Sequence, residues 1–249
     1  NIMDANFKRQ VLEKWNKYFP TTSLPIGVFY SDGLHGAEYA RKPAPNSRGY
    51  TCIFAQMARL HQGQSLAFDA DNLGCFGSLQ ALFGGEYQEE ATVRLLCEIE
   101  HFKIDREQAD AMHRINPKAQ PTGQYIIFKP FDELTEEDAP VIYFVFAKPD
   151  VISALHALAS FDDTRVDNVI VPFGSGCEGL LSFALDEARK ENPRVVLGGM
   201  DPAMRACIKP ELQTFSMPTV RFTRMVENMD DSFLGTYIWE GVRKRVEKP

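Results

Sequence analysis

The sequence predicts an α/β protein built of two pseudo-repeated strand–helix–strand–helix lobes with mixed sheets. Two observations carry that expectation. Val169-Ile170-Val171-Pro172-Phe173-Gly174-Ser175-Gly176-Cys177-Glu178-Gly179 reads as a short buried strand, a glycine turn holding one cysteine, and the start of an amphipathic helix. A shorter version precedes it, where Leu66-Ala67-Phe68 leads through Leu73 into Gly74-Cys75-Phe76-Gly77-Ser78. With 17 Gly and 5 Cys in 249 residues, random order gives about 0.02 copies of Gly-Cys-x-Gly. This chain holds two.

The flanks of the two elbows agree. Leu24-Pro25-Ile26-Gly27-Val28-Phe29-Tyr30 parallels Ala139-Pro140-Val141-Ile142-Tyr143-Phe144, each a β-rich apolar run opened by proline. A helical pattern follows each, over 52–61 and 151–161. The chain is therefore expected to form one compact domain, with a first lobe over about 24–130 and a second over about 139–245.

The remaining elements follow in order. Phe7, Val11, Trp15 and Phe19 make one apolar stripe on a first helix that Pro20 ends. A strand over 26–30 comes next. A Gly- and Pro-rich loop over 31–49 then holds Arg41, Lys42 and Arg48, read first as a solvated loop and only second as cations that approach an anion. After the first elbow a helix over 78–83 stops at Gly84-Gly85, and 86–116 is helical and charged. A strand over 125–128 precedes an acidic connector over 132–138, read as a solvated face. In the second lobe Asp150 is expected to cap a helix starting at Val151, with Pro149 outside it. A helix over 178–190, a strand over 194–197 and a helix opened by Asp201-Pro202 follow. An edge strand over 219–223 and a last helix anchored by Phe233, Tyr237 and Trp239 complete the reading.

Composition narrows the function classes. Net charge is −7 and pI about 5.3, without the basic face of a general nucleic-acid binder. No apolar run reaches the ~18 residues of a spanning helix, and charges interrupt the first residues where a secretory signal would lie. Five scattered cysteines do not form a disulfide framework, which fits a reducing cytoplasm.

A glycine turn between strand and helix points backbone N–H groups outward at the positive end of the helix dipole, which suits an anion. A cysteine there is expected to have a lowered thiol pKa. The candidate ligand-binding residues are therefore Gly74, Cys75, Gly77, Gly174, Ser175, Gly176, Cys177 and Gly179, with Arg205 as a further anion partner. Cys75 and Cys177 are the candidate catalytic thiols, and Cys52 joins them as a candidate metal ligand. Cys97 and Cys207 read as packing residues. The bland alternative for the glycines is a tight turn with close helix–strand packing. No paired His or Cys-x-x-Cys spacing supports structural zinc, and no Ser stands at the nucleophile position of Gly-x-Ser-x-Gly.

These residues resemble a known family. Pro149-Asp150, Gly174-Ser175-Gly176-Cys177, Met200-Asp201-Pro202-Ala203-Met204-Arg205 and Ser232-Phe233-Leu234 through Trp239 are similar to the uncharacterised prokaryotic family called domain of unknown function 169, or ArCR. In the first half Cys52 and Leu73-Gly74-Cys75-Phe76-Gly77 carry the likeness, which spans roughly 24–245. The resemblance implies a cytoplasmic bacterial or archaeal protein and supplies neither substrate nor cofactor. Three functions remain open: binding of a small anionic ligand or cofactor between the elbows, cysteine-dependent enzyme or redox chemistry, and metal or iron–sulfur binding through Cys52, Cys75 and Cys177. A structural or interaction role is the fourth.

Overall fold

A computed structural model describes residues 3–40 and 52–246. Helix α1 (Ala5–Tyr18) buries Phe7, Val11, Trp15 and Tyr18. The Asp4 carboxylate caps it, accepting the Phe7 N–H at 2.7 Å. Strand β1 (Ile26–Ser31) is followed by the two-residue strand β2 (Glu38–Tyr39). A 3₁₀ turn (Phe54–Gln56) enters α2 (Met57–His61), and β3 (Leu66–Phe68) leads to α3 (Phe76–Phe83). Gly84 stops α3 in the left-handed conformation, at φ +67°, which favours glycine. Then come α4 (Glu89–Arg94), a π-helical turn (Leu95–Ile99), α5 (Arg106–Ile115) and β4 (Tyr125–Pro130).

The second half begins with β5 (Ile142–Ala147), α6 (Pro149–Ala159) and β6 (Val169–Ile170). A second π-helical turn (Glu178–Ser182) continues as α7 (Phe183–Glu187). Strand β7 (Val195–Gly198), α8 (Pro202–Arg205), β8 (Gln213–Pro218), α9 (Thr219–Asn228) and α10 (Tyr237–Val246) complete the chain.

One mixed eight-stranded sheet runs through both halves, in the order β2-β3-β4-β1-β5-β8-β7-β6. The antiparallel pair β1–β5 is its seam, with Gly27 opposite Tyr143. Each half carries one parallel pair at its outer edge, β2 with β3 and β6 with β7. The order therefore reads alike from either edge. Yet the two cysteine elbows do not hold matching places in it. Cys75 follows β3, the second strand from one edge, whereas Cys177 follows β6, the opposite edge strand. By sheet position Cys177 matches Cys52, which follows β2, and Cys75 matches Asp201, which follows β7.

Alternation along the strands splits the core between the two sheet faces. Tyr143, Val145 and Ala147 of β5 pack with Trp15, Leu155, Phe222 and Trp239, beneath α1, α6, α9 and α10. Ile142, Phe144 and Phe146 pack on the other face with Met57, Leu82, Leu180 and Met204. That second face, covered by the helices that follow the parallel strands, is where the candidate site lies.

Several sequence expectations are corrected. Residues 219–223 belong to α9, not to an edge strand. The strand is β8 just before them, where Thr214 and Ser216 are buried on one face and Phe215 and Met217 on the other. Phe222, Met225 and Val226 give α9 its buried stripe. Lys148 rather than Asp150 is the N-cap of α6, and Pro149 is its first residue. Proline suits that position because the first N–H of a helix has no partner within it. Asp150 instead pairs with Arg245. Tyr237 is exposed and anchors nothing. Asp138 is not part of a solvated face. It is 0% exposed, accepting from Lys129 Nζ at 2.8 Å and the Thr135 N–H at 2.7 Å, with His35 Nδ1 at 2.8 Å. Burial alone would raise its carboxyl pKa, but these partners outweigh it and hold the pKa below the usual value. Arg41, Lys42 and Arg48 lie outside the described residues.

Candidate functional site

The site forms where four segments leave the sheet. Strands β2 and β3 run opposite to β6 and β7, so the segments that follow them leave from opposite ends of the sheet and meet over its second face. Cys52 follows β2, Cys75 follows β3, Ser175-Gly176-Cys177 follows β6 and Asp201 follows β7; all line one cavity of about 530 Å³. Most of its wall is apolar, from Phe54, Phe76, Leu95, Leu96, Met112 and Met204. The size falls within the range of small-molecule sites, about 300–1,000 Å³. The helical insert between α3 and β4 closes one side, and both π-helical turns contribute to the wall. Such turns frequently mark functional positions because they reshape the helix surface locally.

Of the residues singled out from sequence, Cys52, Cys75, Gly77, Ser175, Gly176 and Cys177 line the cavity, while Gly74, Gly174, Gly179 and Arg205 do not. Arg205 is spent on its own connection, donating to the carbonyls of Leu212 and Pro210 at 2.7 Å each. A Cβ on Gly174 would press on the Glu178 side chain, and one on Gly179 would meet nothing within 4 Å. Gly176 is close-packed: a Cβ there would come within 2.8 Å of Phe54 and 3.0 Å of Met204.

The thiols depart from expectation. Cys177 stands in the first helical turn but is 6% exposed, and its Sγ lies 3.1 Å from Ser78 Oγ. Burial pushes its thiol pKa well up, with Cys75 and Cys52 adding repulsion. Desolvation therefore overrides the helix terminus, and Cys177 is a neutral thiol. Burial also raises Cys52. Cys52, Cys75 and Cys177 all line the one cavity. Cys207, read from sequence as a packing residue, is exposed and lines the same cavity. Among the described residues no three His, Cys, Asp or Glu are grouped so as to hold a metal ion, and the metal reading gains no support from this geometry.

The two elbows differ in what their helix starts do. At the second, Ser175-x-x-Glu178 forms half of a capping box: the Glu178 carboxylate accepts the Ser175 N–H at 2.8 Å. Asn116 and Lys118 hold that carboxylate from the insert, each at 3.2 Å. Asp201 accepts the Gly176 N–H at 2.8 Å and the Ala203 N–H at 2.9 Å. The protein's own carboxylates thus fill this N-terminus. At the first elbow Cys75 is the N-cap of α3 and no side chain caps the helix. The N–H groups of Phe76, Gly77 and Ser78 have no acceptor among the described residues, and all three residues line the cavity.

Further polar groups went unnoticed in the sequence. Gln80, 7% exposed, lines the cavity with no partner for its side-chain amide among the described residues. Thr92, also lining it, has a buried hydroxyl without a partner among the described residues. Glu100 and Asp201 have raised carboxyl pKa values, first through burial; Asp201's charge adds to Glu100, and Glu178's to Asp201. His113, stacked on Tyr87 at 3.9 Å, has its pKa lowered by burial and by Lys118. Thr92, Glu100 and His113 reach the wall through the packing of the insert, which no local sequence signal marks.

A family model described as uncharacterised ArCR, domain of unknown function 169, matches residues 16–228. No curated protein and no solved structure matches the chain.

Proposed function

The chain belongs to that uncharacterised ArCR family, and from this premise we propose that it binds a small ligand with an apolar body and an anionic group. The anionic group meets the free N–H groups at the start of α3, and the apolar body lies among Phe54, Phe76 and Met204. One observation carries the reading: an uncapped N-terminus opens on a largely apolar cavity of about 530 Å³. An anion there gains from both the N–H donors and the helix dipole. We place the protein in the cytoplasm, on the support of five free cysteines. No helix among the described residues is long and apolar enough to cross a membrane.

A second reading rests on the thiols. Four of the five cysteines line this one cavity, which favours cysteine chemistry on the bound ligand. Since Cys177 is held neutral, that role falls to Cys75, half-buried at the N-cap of α3.

The test is a thermal-shift titration against small carboxylates and phosphate esters. A ligand at a hundred times its Kd stabilises by about 2.7 kcal/mol, which for a chain of this size raises Tm by about 5–10 °C. A panel with no stabilising anion, together with no ligand retained in native mass spectrometry, would contradict the reading.

A further inference from the structure

The charge on the cavity wall says more about the ligand. Among the described residues Glu100, Glu178 and Asp201 line it, against a single lysine, Lys118, which is already bound to Glu178 at 3.2 Å. Among the described residues no arginine lines the cavity, and burial and Lys118 lower the pKa of His113. Glu178 is therefore compensated, but Glu100 and Asp201 have no basic partner among the described residues. Asp201 is half satisfied by backbone N–H groups; the Glu100 side chain has no hydrogen bond at all among the described residues. Two neighbouring carboxylates in a largely apolar cavity repel one another and lack the solvation they would have in water. A cation placed against them relieves both costs.

A second, independent observation points to a ligand at this wall. Gln80 is nine-tenths buried, lines the cavity and leaves its amide without a protein partner among the described residues. Buried polar groups are nearly always hydrogen-bonded, and an amide can donate to an anion or accept from an ammonium group. Gln80 belongs to α3, whose free N-terminus is the anion site, so it lies on the same wall as that site.

We propose that the ligand is a zwitterion whose ammonium group faces Glu100 and Asp201 while its anionic group meets the N-terminus of α3. This rests on the anion-binding reading above and adds the cationic end and its partners. The ligand class is an amino acid or a similar amine-bearing acid with an apolar side chain, matched to the apolar remainder of the cavity.

The experiment is calorimetric titration of the full chain with matched sets sharing one apolar body. One set is L-phenylalanine, 3-phenylpropionate and 2-phenylethylamine; another is L-leucine, 4-methylpentanoate and 3-methylbutylamine. The zwitterion is expected to bind about tenfold or more tightly than the acid of the same body, the scale of one charged hydrogen bond. Glu100→Gln is expected to remove most of that preference by weakening the zwitterion, without weakening the acid. The variant is suited to the purpose because the Glu100 side chain makes no hydrogen bond or ion pair among the described residues. An acid that binds as tightly as its zwitterion overturns the ammonium site and leaves the anion reading standing. Binding of the amine alone, or of none of the probes, overturns both.

Discussion

Cys177 carries a thiol that its helix and its burial pull in opposite directions, and burial wins. A helix terminus lowers a thiol pKa only where the thiolate is solvated or paired; here, among the described residues, Ser78 is the single polar group hydrogen-bonded to the sulfur. Position in sequence located the residue but not its reactivity, which depends on how completely Phe54, Met204 and the neighbouring helices enclose it. The expected outcome of timed alkylation near neutral pH, read by peptide mass spectrometry, is that exposed Cys207 labels first. Cys177 should label last, only on unfolding. Early labelling of Cys177 would mean that the cavity opens far enough to solvate it. The sequence made Cys52, Cys75 and Cys177 visible because glycine spacing and helix starts are local signals. Glu100, Gln80, Lys118 and Asn116 were not visible, since nothing near them in the chain distinguishes a wall residue from a surface one.

At the scale of elements, glycine spacing in the sequence pointed to close packing but not to where it occurs. Gly198, at the end of β7, is the tight position: a Cβ would lie 2.5 Å from the Gly179 carbonyl oxygen and 2.6 Å from Thr214 Oγ1. The strand and the π-helical turn meet there through backbone alone. Gly198→Ala should therefore destabilise by about 1–3 kcal/mol, the usual cost of overpacking. Gly179→Ala, whose Cβ meets nothing within 4 Å, should be neutral or gain up to about 1 kcal/mol from helix propensity. Urea unfolding of the two variants checks the order; a larger loss at Gly179 would reverse the packing argument. Strand β8 was missed for a related reason. The letters Thr214-Phe215-Ser216-Met217 do alternate, but over only four residues before Pro218, and both faces are buried, with Thr214 and Ser216 0% exposed. The apolar stripe of α9 begins only after Pro218, and the β-branched Thr219 and Val220 hid it.

For the whole molecule, one sheet joins both halves at the β1–β5 seam, and the segments after β2, β3, β6 and β7 converge on a single cavity. The α/β class and the alternation of strands with helices were legible from periodicity. The shared sheet was not, because strand order is set by long-range pairing that no local pattern encodes. Convergence gives the cavity one filled helix start and one open one, and the open one is where binding is proposed. Cys75→Asp tests this most directly. Cys75 already has the extended backbone of an N-cap, at φ −87° and ψ 116°. An aspartate there should accept the free N–H groups and stabilise the protein by about 0.5–2 kcal/mol. Its carboxylate would also occupy the site where the ligand's anionic group is placed. The measurement is a thermal-shift titration of wild type and Cys75→Asp with the same carboxylates: the account predicts a higher Tm for the ligand-free variant and no further rise on adding ligand. A variant that still gains the wild-type increment from an anionic ligand would contradict it.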